Sequence, residues 1–217
     1  MTVSTILKNM TRPAPARFLS AVFLALFLVV TPTQAQQAKA KAPRPIATPV
    51  AVTGQPPATI LIFRHAEKLT DGQSHLSPAG FKRADRLRDL FVPPGARPDL
   101  PTPQVIFATH LSAHSNRPVE TVTPLAQALH LTIDDTISND DYATLAQALL
   151  SGKYAGKVVL IAWHHGNIPS LVTALGAKPP VETWPDEQFD RIWRIDYVNG
   201  KATIQDLPQH LMPGDSN

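Results

Sequence analysis

Residues 60–68 read ILIFRHAEK: four apolar residues run straight into Arg64, His65, Ala66, Glu67 and Lys68. A short continuous apolar run is the pattern of a strand covered on both faces. Burying even one unpaired charge costs several kcal/mol, so the ionisable cluster marks either a site at a strand tip or an ordinary surface turn. What else the chain delivers to the same place decides between them.

Working outward, short β-branched runs alternate with helical patterns. ATILIF (58–63), QVIFA (104–108), KVVLIAW (157–163) and DRIWRIDYV (190–198) have the composition of strands. LSPAGFKRADRLRDLF (76–91) has Ser77 as N-cap and Pro78 at the first helical position, with Phe81, Ala84, Leu87 and Leu90 at helical spacing. PVETVTPLAQALHL (118–131) and DYATLAQALLSG (141–152) are also helical, and Pro124 is expected to end or kink the former near its first turn. Asn199-Gly200 between two strand patterns predicts a closing hairpin. This alternation predicts an α/β fold: a three-layer sandwich with a mainly parallel sheet flanked by helices, in which ligands bind at the carboxyl ends of the strands.

The chain has 217 residues, 43% hydrophobic and 17% charged, which suits one well-buried domain. Before it, Lys8, Arg12 and Arg17 precede an apolar run at 18–30 and then small residues, so residues 1–35 are expected to be a cleavable signal peptide with removal near Ala35. That run is shorter than the roughly 20 residues a membrane span needs, so no stable membrane anchor is expected. Residues 36–57, rich in Ala, Pro and Lys, are expected to be a linker, and 58–217 the folded domain. The absence of Cys excludes disulfides, a thiolate nucleophile and thiolate metal ligands.

The formal charge of +3 does not signal a nucleic-acid partner. Six of the 20 basic residues and none of the 17 acidic ones precede position 58, which leaves 14 against 17 in the domain. The folded part is mildly acidic.

Three strand ends carry unusual residues: Arg64-His65 after the first, Arg117 beyond the second, and Trp163-His164-His165-Gly166-Asn167 after the strand at 157–163. Gathered in one pocket, two arginines and two histidines suit a phosphoryl group. Guanidinium forks hold its non-bridging oxygens, and an imidazole with one nitrogen held by a backbone carbonyl presents the other as nucleophile without needing a metal. His110 and His114, four apart, sit in a polar loop with no third ligand in register and are read as solvated; His75, His130 and His210 are read as surface, and Trp184, Trp193 and Tyr197 as core.

These residues resemble the histidine phosphatase superfamily (phosphoglycerate mutase-like). Arg64-His65-Ala66-Glu67 is similar to its Arg-His-Gly-Glu signature with Ala for Gly. LSPAGFKRADRL (76–87), RPVET (117–121) and VVLIAWHHGNIPSLVTALG (158–176) resemble its helix, Arg-x-x-x-Thr and second-histidine elements in the same order. The resemblance implies a metal-independent phosphatase without cofactors, acting on phosphomonoesters or phosphohistidine of a small substrate, and the signal pattern of residues 8–35 adds the expectation that it is exported, to the periplasm or secreted. His65 would be the nucleophile, Arg64 and Arg117 the phosphate clamps and His165 the second pocket histidine. The proton donor is left open among Asp140, Asp141, Glu120 and His164. Two alternatives are a non-catalytic phosphoanion-binding domain and a metal-binding protein using the eight histidines.

Overall fold

The computed structural model describes residues 47–216, so the expected signal peptide and the start of the expected linker lie outside the described residues. The strands are β1 (Thr59–Arg64), β2 (Val105–Ala108), β3 (Ile133–Asp134), β4 (Val158–Trp163), β5 (Arg191–Val198) and β6 (Lys201–Pro208); the helices are α1 (Pro78–Leu87), α2 (Arg117–Leu129), α3 (Tyr142–Leu149) and α4 (Ile168–Ala174). One mixed sheet runs in the order β3-β2-β4-β1-β5-β6. The first four of these are mutually parallel, whereas β5 is antiparallel to β1 and β6 to β5. The α/β expectation therefore holds, with an antiparallel edge.

The apolar runs of β1 and β4 are buried on both faces, and their alternation sorts the core. Ile60, Ile62, Val159, Ile161 and Trp163 pack with Leu145 and Leu149 of α3 and Leu171 and Val172 of α4. Leu61, Phe63, Leu160 and Ala162 pack on the other face with Leu87 of α1 and Val122 and Leu125 of α2. At roughly 1.5–3 kcal/mol per fully buried large apolar side chain, these two layers are the main stabilising contribution. Trp184 and Trp193 lie in the core, their ring centroids 4.5 Å apart, and Tyr197 packs against it, as expected. The Asn199-Gly200 turn closes the β5–β6 hairpin, with φ of 51° and 75° as a primed turn requires.

Two local features differ from the sequence pattern. Pro124 lies inside α2 without ending it. The roughly 3 kcal/mol cost of an interior proline is outweighed because Val122, Leu125 and Ala126 around it are buried. In α1, Phe81 is 45% exposed while Arg83 is 5% exposed. Gly80 explains the rotation: a Cβ there would come within 2.2 Å of the Glu67 carbonyl oxygen, so the helix docks by its glycine face and carries Arg83 inward.

Chain 50–57, expected to be tether, is bound to the domain. Val50 N–H donates to Ala174 O, and the Thr53 and Gly54 N–H groups both donate to Leu150 O. An extended segment without apolar period docks through its backbone, which composition does not reveal. Among the described residues no helix is long and apolar enough to cross a membrane.

Candidate active site

The parallel strands bring their carboxyl ends together. Arg64 pairs with Trp163 across β1 and β4, and His65 N–H continues the ladder by donating to Trp163 O at 3.0 Å. The next residues in register are therefore His65 and His164. Their ring centroids are 5.2 Å apart at 70°. His65 Nδ1 lies 2.7 Å from Ala66 O, an acceptor only, so Nδ1 carries the proton and Nε2 bears the lone pair. Ala66, whose φ is not positive, is accepted at this position without strain; its N–H donates to Thr121 Oγ1, which in turn donates to Arg117 O, tying the β1 tip to α2.

Arg64 is 1% exposed and lies 3.9 Å from the centroid of the Phe189 ring. Its Nη1 donates to the carbonyls of Pro185, Asp186 and Gln188 at 2.5–3.1 Å, while Nε and Nη2 are buried without a hydrogen-bond partner among the described residues. One edge is anchored on the loop at 181–189 and the other is left for a ligand. Arg117 repeats this arrangement: Nη1 donates to Gln73 O at 2.8 Å and Nε is buried and unpartnered among the described residues. Two forked cations thus present unsatisfied donors near a neutral imidazole.

His165 and His164 face different partners. His165 Nε2 lies 2.8 Å from Asp186 Oδ1, and the ring contact with His65 is made by His164. His164 thus lies in the site together with the expected His165. The signal that would have found His164 is the strand register, since counting from Arg64 opposite Trp163 sets His164 beside His65.

No family profile matches the chain, and no curated protein is similar to it in sequence. Solved structures do match in part. A phosphoserine phosphatase from Entamoeba histolytica, a mutant in complex with phosphoserine, is 13% identical with a TM-score of 0.48, covering 71% of this chain and 99% of its own. An alpha-ribazole phosphatase from Shigella flexneri is 15% identical with a TM-score of 0.45, covering 73% and 100%.

Each carboxylate considered as a proton donor accepts a hydrogen bond, and Asp140 also acts on His164. Glu120 accepts from Leu76 N–H at 2.9 Å and lies 2.5 Å from His75 Nδ1. Asp140 accepts from Asn167 Nδ2 at 2.8 Å, and Asp141 accepts from Ser138 Oγ at 2.5 Å. Of the remaining histidines, His110 and His114 are exposed, with His110 Nδ1 bonded to Asp135 O at 2.9 Å, and His75, His130 and His210 are exposed as expected. Asp186 and Phe189, on the loop at 181–189, are the site residues that sequence reasoning missed.

Burial, and then the charge of neighbouring groups, controls protonation. Burial pushes His65 well below its usual pKa, with His164, Arg64 and Arg117 adding to the effect against the Ala66 hydrogen bond. His164 is lowered to about 4 by burial, then by Arg117, His165 and Arg64. Arg64 is lowered to about 10 by burial and stays charged at neutral pH. A histidine with a depressed folded pKa gives the unfolded chain the greater proton affinity, so stability is full above about 6.5 and is lost as pH falls toward 4. His164 alone accounts for about 3 kcal/mol over that window. The urea midpoint should fall between pH 7 and 4.5, and His164→Asn should flatten the slope; parallel slopes would count against this protonation scheme.

Proposed function

We propose that the chain is an exported, metal-independent phosphatase that hydrolyses phosphomonoesters or phosphohistidine of a small substrate through a phosphohistidine intermediate. The observation that carries this reading is the pairing of a neutral His65, its Nδ1 held on Ala66 O, with the unpartnered donor edges of Arg64 and Arg117. The phosphoryl oxygens accept from Arg64 Nε and Nη2 and from Arg117 Nε, in charge-assisted bonds that persist as charge develops in the transition state. His65 Nε2 attacks phosphorus and the ester P–O bond breaks. His164, against the His65 ring, supplies a further contact to the transferring group. Water then attacks the phosphohistidine, releasing phosphate and restoring the imidazole. Export rests on the basic, apolar and small-residue pattern of residues 8–35.

The test is phosphate release from 4-nitrophenyl phosphate by the protein in excess EDTA, with acid-labile label trapped on the chain from a radiolabelled substrate. Steady turnover and a base-stable, acid-labile phosphoprotein are expected. The engagement of Glu120, Asp140 and Asp141 favours the second reading, a phosphoanion-binding domain. Saturable binding of inorganic phosphate without turnover or label would decide for that reading.

A further inference from the structure

The phosphatase reading leaves one requirement open, because an alkoxide departs poorly unless it is protonated. Glu120, Asp140 and Asp141 are bonded to other groups, and His164 lies against the nucleophile's ring. His165 is placed differently. Its side chain is 26% exposed; Nε2 is 2.8 Å from Asp186 Oδ1, and Nδ1 is buried without a partner among the described residues. One ring nitrogen fixed by a carboxylate and the other free is the arrangement of an acid–base imidazole.

We propose that His165, oriented by Asp186, is the proton donor to the leaving alcohol, an assignment that rests on the phosphatase reading above. His165 enters the step as imidazolium, with Nε2–H on Asp186 and Nδ1–H toward the leaving oxygen. As His65 Nε2 bonds to phosphorus, the P–O bond breaks, its electron pair stays on oxygen, and the Nδ1 proton passes to that oxygen. The neutral Nδ1 then takes a proton from the water that attacks the phosphohistidine, so the ring ends the cycle as it began. His165 is a catalytic residue in this scheme and Asp186 a positioning residue.

The groups acting on His165 set the pH dependence. Burial and the Arg64 charge lower its pKa to about 4, with Lys68 acting the same way, while Asp186 raises it; His164 precedes it in the chain. The donor form is therefore favoured in acid. A phosphoryl anion held by Arg64 opposes that lowering.

The full chain should be assayed on 4-nitrophenyl phosphate, whose leaving group needs no donor, and on glycerol 1-phosphate, whose leaving group does. His165→Ala should lower kcat/KM for glycerol 1-phosphate about 10²–10³-fold more than kcat/KM for the aryl ester, because kcat/KM reports transfer to His65 alone; aryl kcat should fall too, since hydrolysis of the phosphohistidine loses its base. The wild-type ratio of alkyl to aryl kcat/KM should fall as pH rises from 5 to 8, and become flat in His165→Ala. Asp186→Asn, which removes the charge that raises the ring's pKa, should move the falling limb to lower pH. Equal losses in kcat/KM on both substrates, or a ratio that collapses in Asp140→Asn or Glu120→Gln instead, would overturn the assignment. Absence of His65-dependent aryl turnover in the wild type would refute the phosphatase reading itself, a different result from an unchanged ratio.

Discussion

His65→Ala should abolish turnover of 4-nitrophenyl phosphate, lowering kcat at least about 10⁴-fold, or about 5 kcal/mol of barrier. The size of the effect follows from the role: an aryl leaving group needs no proton, so loss of the nucleophile is not masked by loss of an acid. The fold should survive. His65 sits at the end of β1, beyond the two apolar layers, and its removal leaves only Ala66 O without its donor, about 1–3 kcal/mol. Arg64 and Arg117 keep their backbone anchors in the variant, so inorganic phosphate should still bind within about tenfold of wild type, because the clamp rather than the imidazole supplies the charge. Retained turnover would end the histidine-nucleophile mechanism. Parallel loss of phosphate binding and turnover would mean that His65 holds the pocket together instead of reacting in it.

How much of this is legible in the sequence differs from residue to residue. The β1 and β4 runs are readable because both faces are covered, which removes polar alternation and leaves a signature unlike any helix. The meeting of Arg64, His65, Arg117 and the histidine pair follows from parallel strands sharing their carboxyl ends. Within the pair, the turn that follows points to His165, whereas the ladder sets His164 against the His65 ring. The anchoring of Arg64 on the carbonyls of Pro185, Asp186 and Gln188 has no signal at all, since any sequence supplies carbonyls and only the path of the loop aims them. Arg83 is hidden for another reason: a helical stripe is scored by apolar residues, and a fully paired arginine on the buried face counts against the stripe it belongs to.

Arg83→Met should be among the most destabilising single changes in the domain, about 3–5 kcal/mol, because it removes the middle of a buried ion network. All five guanidinium N–H groups are used. Nε donates to both Glu67 oxygens at 3.0 and 3.1 Å, Nη1 to Gln209 Oε1 and Asp215 Oδ2 at 3.0 Å, and Nη2 to Glu67 Oε1 at 2.8 Å and Asp215 Oδ1 at 2.7 Å. Burial disfavours the guanidinium charge, but the bonds to Asp215 and Glu67 more than offset it and raise the Arg83 pKa. Methionine fills similar space, so the cost is that of two carboxylates facing each other without a cation, with the Asp215 side chain only 5% exposed. Two features separate this from lost packing. Protonating Asp215 relieves the repulsion, so the difference in urea midpoint between Arg83→Met and wild type should narrow from pH 7 to pH 4; and Asp215→Asn in the same chain should recover part of the loss, giving a non-additive double-mutant cycle. The network also reaches the site, since Glu67 follows His65-Ala66 and its carbonyl accepts from Ser77 N–H at the start of α1. The variant should therefore raise KM more than it lowers kcat for the aryl substrate, because it loosens the loop that carries the pocket without touching the nucleophile. A cost below about 1 kcal/mol, independent of pH, would place Arg83 with ordinary surface ion pairs and remove the C-terminal chain from any part in holding the site.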